Sequence, residues 1–222
     1  MRVLLHLWPS AACRMIRLAL AEKRLEFEAR IEKVWERRPE FLSLNPGGEV
    51  PLLIEPDGTT LNHAWVITEY LEEAYPETPL IGENRLDRVE TRRLIVWFEE
   101  KFGQEVTENL AGEKIMKRFL GQGQPSSDAI RAGLTNINYH MDYIDFLAER
   151  RKWLAGDVLT MADLAAAAHL SVCDYLGDVP WERHSEARAW YARIKSRPSF
   201  RPLLDDFIPG IAPPDHYRDL DF

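Results

Sequence analysis

The stretch Trp153-Leu154-Ala155-Gly156-Asp157-Val158-Leu159-Thr160-Met161-Ala162-Asp163-Leu164 constrains this chain more than any other. Thr160 and Asp163 stand at capping-box spacing, with Asp in the place more often held by Glu. Leu159 and Leu164 fit the hydrophobic staple around that box. The residues beyond, Ala165-Ala166-Ala167-Ala168-His169-Leu170, are small nearly all round, which predicts a central buried helix. His169 on such a helix reads as a hydrogen-bonded core histidine rather than a catalyst.

The surrounding sequence supplies helices to cover it. From Asn84 onward strand signals vanish. Asn84 and Asp87 mark a helix start before Leu94-Ile95-Val96-Trp97-Phe98. The run from Gly121 to Ser127 breaks the pattern, with Ser127 the expected cap of the next helix. Ile130, Leu134, Ile137, Met141, Ile144 and Leu147 then recur three or four apart, an amphipathic helix against the core.

The first 80 residues read differently. Arg2 to Leu7 predicts a buried strand, and Ser10 caps a helix from about Ala11 to Lys23. Phe27 to Val34 alternates apolar and charged residues, as an edge strand does. Val50 to Ile54 and Thr59 to Leu61 flank the Pro56-Asp57-Gly58 turn, and Ala64 to Ala74 is helical up to Tyr75-Pro76. The order is βαβ followed by ββα. A proline at a strand's first position after a loop, Pro51 in Asn45-Pro46-Gly47-Gly48-Glu49-Val50-Pro51, can stand in cis. The preceding residue then turns its backbone groups outward, towards an extended peptide.

Composition excludes several classes. The net charge of −8 argues against a nucleic-acid binder. No run reaches about 18 apolar residues, so no membrane span is predicted, and the N-terminus lacks a signal-peptide core. A cytoplasmic protein is expected. Cys13 and Cys173 give no disulfide framework, and the scattered histidines predict no metal site.

Three stretches together resemble the glutathione S-transferases: the Val50-Pro51 loop, the Thr160–Asp163 box, and Ser10-Ala11-Ala12-Cys13-Arg14 at the first helix. The resemblance implies a thioredoxin-like N-terminal domain (residues 1–80), an all-helical bundle (87–208) and an extended acidic, aromatic tail (209–222). It implies that Val50 binds the cysteinyl part of glutathione, in a site that also holds Pro51, His63 and Ala64. Ser10, at the N-terminal end of a helix dipole, is the candidate catalytic hydroxyl if the chain is an enzyme. Cys13 lacks the first cysteine of a Cys-x-x-Cys pair and reads as an inert thiol.

The chain departs from the family pattern at His63-Ala64, where the family carries an acid and a serine for the γ-glutamyl group. Losing a bond to a charged group costs about 1.5–3 kcal/mol, roughly tenfold to hundredfold in affinity. Glutathione is therefore not expected as a required cofactor, and the site is read as degenerate. The alternative is a transferase that conjugates glutathione to small electrophiles. Further stretches, among them Lys33-Val34-Trp35-Glu36-Arg37-Arg38, Asp174–Trp181 and Pro213–Phe222, resemble a transferase-like branch that binds the tubulin homologue FtsZ in bacterial cell division. That implies FtsZ as partner, recruitment to the division site, and a homodimer through the stretch near Arg88 to Leu120. Trp35 among charges, and Tyr217, Asp219, Leu220, Asp221 and Phe222 in a tail with five aspartates and one arginine from Leu203 on, are the candidate contact residues. Read from its residues alone, the tail is expected to pack on its own protein; the resemblance turns the reading to a partner-binding tail.

Overall fold

The computed structural model describes residues 1–220, so Asp221 and Phe222 lie outside the described residues. β1 (Arg2–His6) lies inside a four-stranded sheet of order β2-β1-β3-β4. It pairs parallel with β2 (Phe27–Ile31), Leu4 opposite Ala29, and antiparallel with β3 (Leu52–Ile54), Leu4 opposite Leu53. β4 (Thr60–Asn62) closes the other edge as the hairpin partner of β3. α1 (Ala11–Glu22) crosses between the parallel strands, and α3 (Ala64–Ala74) comes after the hairpin with the expected bounds. The βαβ–ββα reading therefore holds.

Several bounds differ from the sequence reading: β3 starts at Leu52 rather than Val50, and β4 covers Thr60–Asn62 rather than Thr59 to Leu61. β2 ends at Ile31 rather than Val34. Glu32 N–H makes a last bond to His6 O (2.9 Å), and the chain then turns through a 3-10 segment at Val34–Glu36 into left-handed Arg37 (φ 44°). A short helix, α2 (Pro39–Leu44), starts on Pro39, whose missing N–H costs nothing at a helix's first position.

The helical half begins with one long helix, α4, which runs from Arg85–Val96 through Trp97–Met116 to a last turn at Lys117–Leu120. Its middle segment is wound wider, Lys117 N–H reaching back to Gly112 O. Its buried residues accordingly repeat about every four: Phe98, Phe102, Val106, Leu110 and Ile115. α5 (Ser127–Arg150) lies beside it. Its cap is Ser126, not Ser127: Ala129 N–H donates to the Ser126 hydroxyl at 3.3 Å.

α6 (Met161–Tyr175) is buried along its whole length. The capping box forms as expected. Thr160 N–H donates to Asp163 Oδ2 (3.0 Å) and Ala162 N–H to Thr160 Oγ1 (3.3 Å). Asp163 does more than cap, because its Oδ1 also accepts from Leu154 N–H (2.8 Å) and Trp190 Nε1–H (2.9 Å). The loop before α6 and α7 (Ser185–Lys195) thus hang on one buried carboxylate. A last short helix, α8, covers Arg201–Leu204.

The two halves share one apolar core, with α1 packed on α6. Arg14 of α1 is buried there and donates to Trp8 O (2.8 Å), Ser171 Oγ (2.8 Å) and Tyr217 Oη (3.1 Å). Arg17 forms a two-pronged pair with Asp206 (2.9 and 2.7 Å). Tyr217 corrects the expectation of an extended tail. Asp215–Arg218 coil into a 3-10 turn, and Tyr217 is 0% exposed, wedged between Arg14 and Tyr175.

Candidate functional site

The loop before β3 is held by one buried side chain. Asn45 Oδ1 accepts from Gly47 N–H (3.1 Å) and Asn62 Nδ2–H (3.0 Å), while its Nδ2 donates to Glu49 O (2.8 Å). This ties the loop to β4 and sets up the Val50–Pro51 bond, which is cis. Next to it His63 adopts φ 72° before α3, and Trp65 N–H donates to its Nδ1 at 3.3 Å. The imidazole therefore caps the helix end that a ligand would otherwise meet.

Two cavities meet here, sharing His63 and Glu99. One, of about 240 Å³, is walled by Ala12, Asn45, Val50, Pro51, Ala64 and Glu49 among others. The second, of about 430 Å³, runs along α4 past Met15, Trp65, Ile95, Val96 and Glu100. The structure thus brings Val50, Pro51, His63 and Ala64 together. Ser10 is not among the lining residues of either cavity; α1 contributes Ala12 and Met15 instead. The Ser10 hydroxyl accepts from Cys13 N–H (3.2 Å), its role as a helix cap. Burial pushes the Cys13 thiol up to about 11, which keeps it protonated and unreactive at neutral pH.

The electrostatics of the cleft were not legible in advance. Its walls carry three carboxylates, Glu49, Glu99 and Glu100, and no lysine or arginine. Glu99 is held by His169 Nε2 at 3.1 Å, and His169 Nδ1 meets Thr107 Oγ1 at 2.8 Å, so this histidine is a bonded core residue. Such walls favour neutral or cationic groups over anions.

The remaining candidates lie elsewhere. Trp35 stacks on Phe119 of α4 with ring centroids 5.3 Å apart, so it bridges the two halves of the fold. Tyr217 is buried, and its ring is not on the surface for a partner. Leu220 packs against the core, Asp219 is exposed, and Asp221 and Phe222 lie outside the described residues. Among the described residues one group has the composition of a metal site, Asp142, Asp145 and His184. There His184 Nδ1 meets Asp145 Oδ2 (2.7 Å) and Ala187 N–H donates to Asp145 Oδ1 (2.7 Å), so the cluster caps α7. Among the described residues no helix is long and apolar enough to cross a membrane.

This architecture matches known proteins along its length. Family models for the glutathione S-transferase N-terminal and C-terminal domains match residues 9–74 and 131–198. FtsZ-localized protein A of Caulobacter vibrioides is 47% identical over all of this chain and 98% of its own length. Among solved structures, a glutathione S-transferase from Rhodospirillum rubrum is 56% identical with a TM-score of 0.98, each chain covered in full. FzlA from C. crescentus superposes with a TM-score of 0.96 at 47% identity, over 100% of this chain and 99% of that one. With both domain models matched and a full-length relative at that identity, the cis-proline loop and the capped central helix have one explanation: the chain belongs to the glutathione S-transferase family.

Proposed function

We propose that this chain is a transferase-fold protein that binds FtsZ and regulates its filaments at the division site, without glutathione chemistry. The observation that carries this is the full-length, 47% identity to FtsZ-localized protein A. The cleft supports it. Glutathione brings two carboxylates and one ammonium, a net negative charge, to walls with three carboxylates and no lysine or arginine. His63 supplies an imidazole that already caps α3, and Ala64 supplies no hydroxyl. Contact residues for FtsZ on this reading are Asp219, Leu220, Asp221 and Phe222. Tyr217 anchors the segment rather than touching the partner, and Trp35 is half-buried beside Phe119. A homodimer fits the exposed apolar side chains Val66 on α3 and Leu86, Val89 and Val96 on α4.

A fluorescent fusion tests the reading in cells. It should form a band with FtsZ at midcell and disperse when FtsZ is depleted. A signal that is uniform while the FtsZ ring is intact would contradict it. One observation keeps a second reading open: the R. rubrum glutathione S-transferase is 56% identical over the whole chain. On that reading glutathione lies along Val50–Pro51, and Ser10 must turn from capping α1 to face a thiolate.

A further inference from the structure

The cleft between the two halves is a formed cavity that filament binding does not use. Its two lobes, of about 430 and 240 Å³, meet at His63 and Glu99. The larger lobe has an apolar side made by Met15 of α1, Trp65 of α3 and Ile95 of α4. Met15 and Ile95 are buried and Trp65 is half-buried, so packing holds this wall in place. The polar side carries Glu49, Glu99 and Glu100, with no lysine or arginine in either lobe.

These acids are not neutralised from within. Glu99 Oε1 is held by His169 Nε2 (3.1 Å), and among the described residues its Oε2 has no bond. Glu49 and Glu100 are exposed, and among the described residues neither carboxylate has a hydrogen bond or an ion pair. His63 adds no positive charge in this arrangement, because its Nδ1 accepts the Trp65 N–H at 3.3 Å and an imidazole that accepts is neutral. Lys101, the residue after Glu100, is turned to Glu105 and lies over the Trp97 ring. Three unpaired charges beside an apolar wall set a negative potential that gathers cations and rejects anions. The wall in turn selects a cation that carries hydrocarbon, and the Trp65 indole face attracts the same charge. A bare metal ion would leave that wall uncovered, and the three acids do not converge as metal ligands do.

We propose that the cleft is a binding site for a small organic cation, an ammonium group on an apolar or aromatic body. The ammonium lies beside Glu99, where the lobes meet, and the body lies along Met15, Trp65 and Ile95. Glu100 in the larger lobe and Glu49 in the smaller add attraction from either side. An occupant so placed touches α1, α3 and α4 at once and bridges the two halves of the chain. The site stands apart from the FtsZ reading, and its test contains no FtsZ, so either can fail alone.

The test is titration calorimetry on the full chain at neutral pH and low salt. Three probes share one ring and one two-carbon chain: 2-phenylethylamine, a cation, 2-phenylethanol, which is neutral, and 3-phenylpropionate, an anion. The amine should saturate the chain about tenfold more tightly than the alcohol, and the carboxylate should show no saturation. Glu100→Gln and Glu49→Gln, changes at exposed side chains, should each weaken the amine roughly threefold to tenfold and leave the alcohol unchanged. Salt at about 0.5 M should weaken the amine in the same direction. An amine that binds no better than the alcohol, or a carboxylate that binds as tightly as the amine, would overturn the choice of a cation. No saturable amine binding in the millimolar range, or amine binding indifferent to both substitutions, would overturn the site itself.

Discussion

Replacing Tyr217 by Phe removes one buried oxygen and leaves the ring. The hydroxyl donates to Leu203 O (3.0 Å) and accepts from Arg14 Nη1 (3.1 Å). Arg14 Nη1 retains Ser171 Oγ at 2.8 Å, and Leu203 O retains backbone bonds from Asp205 N–H and, at 3.3 Å, Asp206 N–H. A neutral bond contributes about 1 kcal/mol net and one to a buried charge about 1.5–3 kcal/mol. Because Arg14 keeps another partner, the sum belongs at the low end, about 2–3 kcal/mol. For a chain of this size that lowers Tm by roughly 4–12 °C. Tyr217→Ala also removes the ring packed edge-on against Tyr175 (5.1 Å) and should cost about 3–5 kcal/mol. Urea denaturation monitored by far-ultraviolet circular dichroism measures both. A loss under about 0.5 kcal/mol for Tyr217→Phe would show that the tail is not part of the cooperative fold, and the anchoring argument would fail with it.

His63→Glu combined with Ala64→Ser restores an acid and a hydroxyl beside the cleft, so calorimetry should find glutathione bound about tenfold to hundredfold more tightly than by the native chain; unchanged affinity would mean that this pair does not set the site. Cys13 and Cys173 are both buried, with their thiols pushed up by burial, so a chromogenic disulfide reagent at mildly alkaline pH should react with neither until urea is added; rapid reaction of one thiol in the native chain would contradict this. Burial first, and the Arg17 charge second, hold the His6 imidazole down at about 4. The unfolded chain takes up that proton near the usual 6.5 and the folded chain does not, so stability should fall between about pH 6.5 and 4, by up to about 3 kcal/mol. His6→Gln should flatten that window relative to the native chain, and an identical acid profile in the variant would assign the loss to other groups.

Local chemistry was readable from the sequence where partners are near in the chain. Thr160 and Asp163 are three residues apart, and Pro51 comes directly after its own loop, so each motif carries its geometry within itself. The bounds of α3 were legible because His63 and Tyr75-Pro76 delimit it. What escaped is what depends on distant partners. Tyr217 looked like part of an extended acidic tail because Arg14, the cation that buries it, is 203 positions away. Trp35 among charged neighbours suited either a contact residue or a side chain covering the domain edge, and only the fold shows its ring stacked on Phe119 across the two halves. The helix cap at Ser126 was missed by one position, since two adjacent serines offer the same hydroxyl and only the chain's entry angle selects between them. In the cleft, Val50, Pro51, His63 and Ala64 were legible from their motifs. Glu49, Glu99 and Glu100 became a group only when α4 and the loop before β3 came to line one cleft.

Co-sedimentation with purified FtsZ polymerised with GTP tests the central claim most directly, using the full chain beside a variant carrying Asp219→Ala and Leu220→Ala. The account predicts that the full chain pellets with filaments in a saturable manner, that millimolar glutathione makes no difference, and that the variant pellets much less while keeping its native circular dichroism. A full chain that stays in the supernatant at every FtsZ concentration would contradict the claim and return the fold to glutathione chemistry.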